Sequence, residues 1–170
     1  MFFLNDTPDN EGFQNLAERY EEMDINSVRA TVNLLRVGSR LLTAFESFLG
    51  RYGLSQGRFL VLIVLNRDLE KPMSASELSQ KVGVTRATMT GLLDNLEKEQ
   101  LIWRYHDKKD RRKINLQLTH SAKKLLGNIL PDYWRRISLL MSPLTEQEKD
   151  NLTEMVKLIE SNIDILTKPI

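Results

Sequence analysis

The sequence contains no cysteine. That absence removes disulfides, thiolate metal sites and thiol-based redox sensing together. Its two histidines, His106 and His120, are not at metal-ligand spacing from one another and are expected to face solvent. There is no glycine-rich phosphate loop and no placeable Ser/His/Asp constellation, so nothing points to an enzyme. No apolar run approaches the roughly 20 residues of a membrane span. Phe2-Phe3-Leu4 is too short for a secretion signal and is followed by acidic residues. A cytoplasmic protein is the expectation.

A large excess of charge of either sign is also missing, since the net charge is only +1. The average hides an asymmetry. Residues 1–30 hold seven acidic and two basic side chains, whereas Leu101 to Lys124 holds eight Lys/Arg and two Asp/Glu. Charge separated in this way orients one face towards a polyanion.

The segment 73–119 organises the rest. Ser74 with Glu77 three residues on is a capping box, and Leu78 and Val82 share a helix face. Gly83 stands where a left-handed residue would end that helix. Thr85 is a second N-cap. Met89, Leu92, Leu93 and Leu96 then fall at i, i+3, i+4 and i+7, one helical stripe. The remaining face at the N-terminal end carries Arg86, Thr88, Thr90 and Gly91, none of which the core needs. A helix, a tight turn and a second helix exposing polar groups at its start is a helix-turn-helix, whose second helix enters the DNA major groove. Leu101–His106 and Ile114–Thr119 read as a two-stranded hairpin around a basic tip, residues 107–113. Such a tip suits phosphate contact or insertion into a narrow minor groove. A solvated charged loop is the plain alternative.

Flanking this core, residues 26–51 form a long helix with a wide apolar stripe that calls for more than one partner. Ser55 caps another helix, with Leu54 and Phe59 as a hydrophobic staple. A strand competes for the run Leu60–Leu65, but the cap favours a helix. Beyond Thr119 a helix continues to Met141, and Pro131 within it is expected to kink or split it. Thr145 and Glu148 form a second capping box. Leu152, Met155, Val156, Ile159 and Ile163 line the last helix. Residues 1–24 are an acidic N-terminal extension, either a flexible tail or a short helix from Glu11 to Glu22 that packs Phe13, Leu16 and Tyr20. The fold class expected is mainly α with a small β-wing: a winged helix-turn-helix core plus long N- and C-terminal dimerisation helices. Residues 25–168 form that domain, with the helix-turn-helix at about 75–98, the wing at about 101–118 and the dimerisation helices at about 26–51 and 119–167. A single winged helix cannot cover all these stripes, which points to a homodimer.

The run Ser74 to Thr119 resembles the winged-helix core of the MarR family of transcription regulators. The residues that carry the resemblance are Leu-Ser-Gln-Lys-Val-Gly-Val (78–84), Leu-Leu-Asp-Asn-Leu-Glu-Lys (92–98), Leu-Ile-x-Arg (101–104), Asp110-x-Arg112 and Leu116-x-Leu118-Thr119. The pattern extends from about Asn26 to Thr167. The resemblance implies a homodimeric regulator of a near-palindromic operator in double-stranded DNA, with two recognition helices about 34–36 Å apart. Repression is the expected sign of regulation. It also implies that Asp110 holds the wing loop and Arg112 reaches the minor groove; a surface ion pair is the other reading of these two. Lys113 departs from the small residue many relatives carry.

From the residues themselves, Arg86 is the candidate for paired bonds to guanine O6 and N7. Thr88 and Thr90 offer hydroxyls or methyls to bases or phosphates, beside the Thr85 cap, and Gly91 permits close approach. An exposed helix-start arginine without a ligand is the plain alternative for Arg86. Arg104, Arg111 and Lys113 are phosphate candidates. Ser74 and Ser76 are further ones at the first helix start, although capping explains Ser74 as well. No cofactor is expected. Family members often bind small aromatic or anionic effectors, for which Arg40, Phe45, Tyr52, Arg58, Tyr133 and Trp134 are candidates here; core packing is the plain reading of the aromatic ones. The competing function is a winged-helix module for protein interaction or dimerisation without specific DNA binding, against which the basic wing argues.

Overall fold

The computed structural model describes residues 10–67, 73–106 and 114–169. The chain divides into two compact units between Thr119 and His120. The first holds α1 (Asn10–Ala17), α2 (Ile25–Gly50), α3 (Gln56–Arg67), α4 (Ala75–Val82), α5 (Arg86–Lys98), β1 (Ile102–His106) and β2 (Ile114–Leu118).

α1 packs on α2 and buries Phe13. It is shorter than the expected Glu11–Glu22, and Tyr20 lies beyond its end, exposed. Extending it would set Glu18, Glu21 and Glu22 at a helix C-terminus, where the macrodipole disfavours negative charge. Asp24 is instead the N-cap of α2. Its carboxylate accepts from the Ser27 hydroxyl and the Asn26 N–H, and those bonds hold it below its ordinary pKa.

Gly53, at φ +68°, turns the chain between α2 and α3 in a conformation that glycine adopts without strain. Leu54 and Phe59 are both buried, as a staple requires. The apolar run after them is helical, and it buries Val61, Leu62 and Leu65. α3 thus forms the floor on which α4, α5 and β2 pack. Leu78 of α4 and Met89, Leu93 and Leu96 of α5 complete this core.

α4 begins with the full Ser74–Glu77 capping box and ends at Gly83, φ +74°. β1 and β2 are antiparallel, with Ile102 opposite Leu118 and Arg104 opposite Leu116. Met73 forms an isolated bridge to Leu116, whose N–H donates to the Met73 carbonyl at 2.9 Å. The N–H of Thr119 donates to the Leu101 carbonyl at 3.1 Å, closing the base of the hairpin.

The second unit holds α6 (His120–Met141), α7 (Glu146–Asn162) and a 3₁₀ turn, Ile163–Leu166. Pro131 does not divide α6, which runs through it as one helix. Pro131 and Gly127, whose carbonyl loses its amide donor, are both exposed, so water can take the vacant acceptor. α6 buries Ala122, Leu126 and Ile129, whereas α7 buries no residue. The Thr145–Glu148 box starts α7, with the Thr145 N–H on the Glu148 carboxylate at 2.7 Å. Among the described residues no helix is long and apolar enough to cross a membrane.

Candidate nucleic-acid interface

α5 is divided lengthwise and end to end. Its inner face is fixed by Met89, Leu93 and Leu96, all at most 2% exposed. Its outer face at the N-terminal end shows Arg86, Thr88, Thr90 and Gly91 to solvent. Among the described residues the Arg86 guanidinium has no partner. Thr85 caps the helix by accepting from the Thr88 N–H at 3.2 Å, and its hydroxyl lies 2.9 Å from that of Thr88. The Thr90 hydroxyl donates to the Arg86 carbonyl at 3.0 Å, which leaves its oxygen lone pairs and its methyl group outward. A Cβ built on Gly91 meets nothing within 4 Å. A helical glycine with open space around it costs about 1 kcal/mol relative to alanine, and no neighbour in the chain requires it.

The other end of α5 is acidic and occupied. Arg104, expected to face the phosphate backbone, places its guanidinium 2.5 Å from Asp94 and 3.3 Å from Glu97. It lies on β1 on the side turned to α5, so the two carboxylates of the helix claim it first. Glu99, the C-cap, pairs with Arg58 of α3. α5 therefore runs from a positive end, with Arg86 and the free amides of its first turn, to a negative end whose carboxylates meet arginines. A polyanion is attracted to the first end and repelled by the second.

Ser74 directs its amide and hydroxyl to Glu77, both at 2.7 Å, so the capping box uses both of its donors. The exposed Ser76 lends its carbonyl to the Ser79 hydroxyl at 2.8 Å. Asp110, Arg111, Arg112 and Lys113 lie outside the described residues. On β1, Trp103 and Tyr105 project from the same face with ring centroids 5.8 Å apart. His106 and His120 are exposed. No group of three or more potential metal ligands occurs among the described residues.

Of the candidate effector residues, Arg58 is engaged by Glu99 and by the Gly53 carbonyl at 3.1 Å. Burial lowers its pKa from the ordinary value. Tyr52 packs on Phe48 at 5.5 Å, with the Arg51 guanidinium 4.7 Å from the Phe48 ring centre. Arg40 is exposed and Phe45 half-buried. Tyr133 and Trp134 sit edge to face at 4.8 Å on the other unit, and burial raises the Tyr133 pKa. The arginine pairings with α5 were not legible in the sequence. For Arg104 a signal existed in the ten-residue separation from Asp94 across a predicted helix–strand corner, but it is no different from that of many charged pairs.

Comparison with known proteins agrees with this geometry. A model described as the MarR family matches residues 54–114. The HTH-type transcriptional repressor YetL of Bacillus subtilis is 33% identical over 140 residues, covering 82% of this chain and 84% of that protein. The transcriptional repressor MprA of Escherichia coli is 30% identical over 148 residues, covering 87% of this chain and 84% of that protein. The fold is that of S. aureus MepR solved as a DNA complex, at a TM-score of 0.71 and 21% identity over 78% of this chain and 95% of that one. With the helix-turn-helix and its paired wing strands in place, and with relatives of this similarity along most of its length, the chain belongs to the MarR family.

Proposed function

We propose that this chain is a sequence-specific DNA-binding transcription regulator, a homodimeric repressor of a near-palindromic operator. The observation that carries the reading is the polar N-terminal face of α5, exposed and unclaimed by the fold, at the positive end of a helix otherwise anchored in the core. The repressor names of YetL and MprA, and the DNA held by MepR, support it. Arg86 reads a guanine, Thr88 and Thr90 contact neighbouring bases or phosphates, and Gly91 admits the DNA surface. The basic wing, Arg111, Arg112 and Lys113, supplies phosphate and minor-groove contacts.

The dimer reading rests on uncovered apolar surface. α7 exposes Leu152, Met155, Val156, Leu158 and Ile159, and α2 exposes Leu34, Leu35, Val37 and Leu42. Large apolar side chains left uncovered along a helix in this way mark an interface. A second copy covers it and, by its two-fold symmetry, presents two recognition helices to one operator. Release by a small aromatic or anionic effector completes the reading, and the neighbouring PcaV of Streptomyces coelicolor was solved with its natural ligand. The expected location is the cytoplasm, with the operator DNA.

Selection of bound sequences from a random DNA pool at moderate salt tests the proposal. Enrichment of a near-palindrome with half-sites one turn apart is the expected result. Affinity should fall steeply with salt as phosphate contacts release counterions. Binding without enrichment means an architectural DNA binder. Failure to bind even at low salt sinks the proposal and favours a protein-interaction module.

A further inference from the structure

Arg58 connects three elements. Its side chain is only 14% exposed, although it belongs to the first turn of α3. One terminal nitrogen donates to the carbonyl of Gly53, the left-handed turn that follows α2, at 3.1 Å. The other pairs with Glu99, 41 residues on, at the C-cap of α5. Its Nε–H is buried and has no acceptor. A long, charged side chain committed in this way is not a solvated surface arginine, and it fills no stripe position in the apolar core.

The end of α5 that it holds is an unusual one. Gln100 follows the C-cap at φ +57°, a left-handed residue that is not glycine. Leu101 is then buried, with its N–H on the Leu96 carbonyl at 2.8 Å. A cation beside the last carbonyls of a helix complements its negative end. The fork of a guanidinium also fixes direction, which an ammonium does not. Arg104 engages Asp94 and Glu97, on the wing side of the helix. Arg58 joins the turn that follows the long helix α2 to the C-terminal end of the recognition helix.

We infer that Arg58, through Glu99, is a positioning residue that sets the pose of the recognition helix and couples it to the C-terminal end of α2. It touches no DNA. It determines how far Arg86, Thr88 and Thr90, at the opposite end of α5, enter the groove. A rotation about the anchored end is amplified along the helix, so sequence-specific binding depends on the pairing while non-specific phosphate binding does not. The DNA part of this inference rests on the reading proposed above; the anchoring part does not.

The test uses the full chain and the variants Glu99→Gln, Arg58→Met, Arg58→Lys and the Arg58→Met/Glu99→Gln double. Glu99→Gln is the gentle variant, because Glu99 is half-exposed and removes nothing from the core. Two readouts are taken. The first is affinity for the selected near-palindromic duplex relative to an unrelated duplex of equal length. The second is amide hydrogen exchange over residues 96–101 without DNA. Glu99→Gln should melt within a few degrees of wild type, yet lose about tenfold in the specific-to-unrelated ratio, as expected for one charge-assisted bond. Exchange at residues 96–101 should quicken by a similar factor. In the Arg58→Met background Glu99→Gln should add nothing, since both substitutions remove one interaction. Arg58→Lys should recover part of the ratio. A purely structural role would lower both duplex affinities equally, in step with the folded fraction. Unchanged exchange in Glu99→Gln overturns the inference whatever the DNA shows. An unchanged ratio in a protein that does select DNA overturns it too. A wild type that selects no sequence overturns the regulator reading, and the exchange result still decides whether Arg58 anchors α5.

Discussion

α5 and α7 are written in the same way and differ in what the chain does with them. Each follows a Thr N-cap, and each carries an apolar stripe at three- and four-residue spacing. α5 buries Met89, Leu93 and Leu96 almost completely; α7 leaves Leu152, Met155, Val156 and Ile159 at least two-fifths exposed. Periodicity states that a face will be covered. It does not state whether the cover comes from the same chain. α5 belongs to a finished core, and α7 is one side of a contact that a second copy completes under the proposed function.

The largest effect should come from attacking the α7 stripe. Ile159→Glu occurs twice across a two-fold interface, so it should weaken self-association by about 3–6 kcal/mol, twice the burial of one large aliphatic side chain. Sedimentation at micromolar concentration should show wild type as a dimer and the variant as a helical monomer. A variant that stays dimeric would place the interface elsewhere. Next, Leu93→Ala in α5 should cost about 2–5 kcal/mol of chain stability by leaving a cavity. Urea unfolding reads this directly, and the cost should not depend on protein concentration when measured on the Ile159→Glu monomer. If Leu93→Ala were silent there, the contrast between the two helices would disappear.

Gly91→Ala sharpens the comparison on the outer face of α5. The added methyl meets nothing in the chain, so the helix should gain up to about 1 kcal/mol. DNA affinity should nonetheless fall, because the methyl occupies the space left for the groove. Opposite signs in a melting curve and a DNA titration are the expected outcome; a gain in both would remove Gly91 from the interface. The smallest effect concerns the start of α7. Bonds from the Thr145 backbone N–H and hydroxyl hold the Glu148 carboxyl below its ordinary 4.5. A lowered folded pKa gives stability that is present above the ordinary value and lost as pH falls through the folded one. The first turn of α7 should therefore loosen under acid below pH 4.5; Thr145→Val, which keeps the backbone N–H, should lessen that dependence, and Glu148→Gln should remove it. Chemical shifts of residues 146–149 report it.

Local rules made much of this legible. Ser74–Glu77, Thr85–Thr88 and Thr145–Glu148 lie within one helical turn, so their bonds follow from spacing alone. Gly83 signals its own left-handed turn. The exposed face of Arg86, Thr88, Thr90 and Gly91 follows once the stripe beside it is known. Contacts between distant segments were not legible. Arg58 reaches Glu99 only because α3 and α5 cross, and Arg104 turns to Asp94 and Glu97 only because β1 folds back along α5. Tyr20 follows the helical rhythm of Phe13 and Leu16, but the acidic residues around it end α1 first. Pro131 does not split α6, because the Gly127 carbonyl it leaves without a donor is exposed to water. The wing-tip assignments, Asp110 to Lys113, lie outside the described residues.

The chain has two tryptophans, and each unit carries one. Trp103 stands on the wing beside Tyr105, and Trp134 stands on α6 beside Tyr133; each is about half exposed. The protein thus contains its own pair of optical probes. Replacing either indole by phenylalanine leaves a single tryptophan, which can be excited apart from the tyrosines at the red edge of the absorption band. Light from Trp103 then follows events at the wing and light from Trp134 follows events on the helical unit, with no label attached.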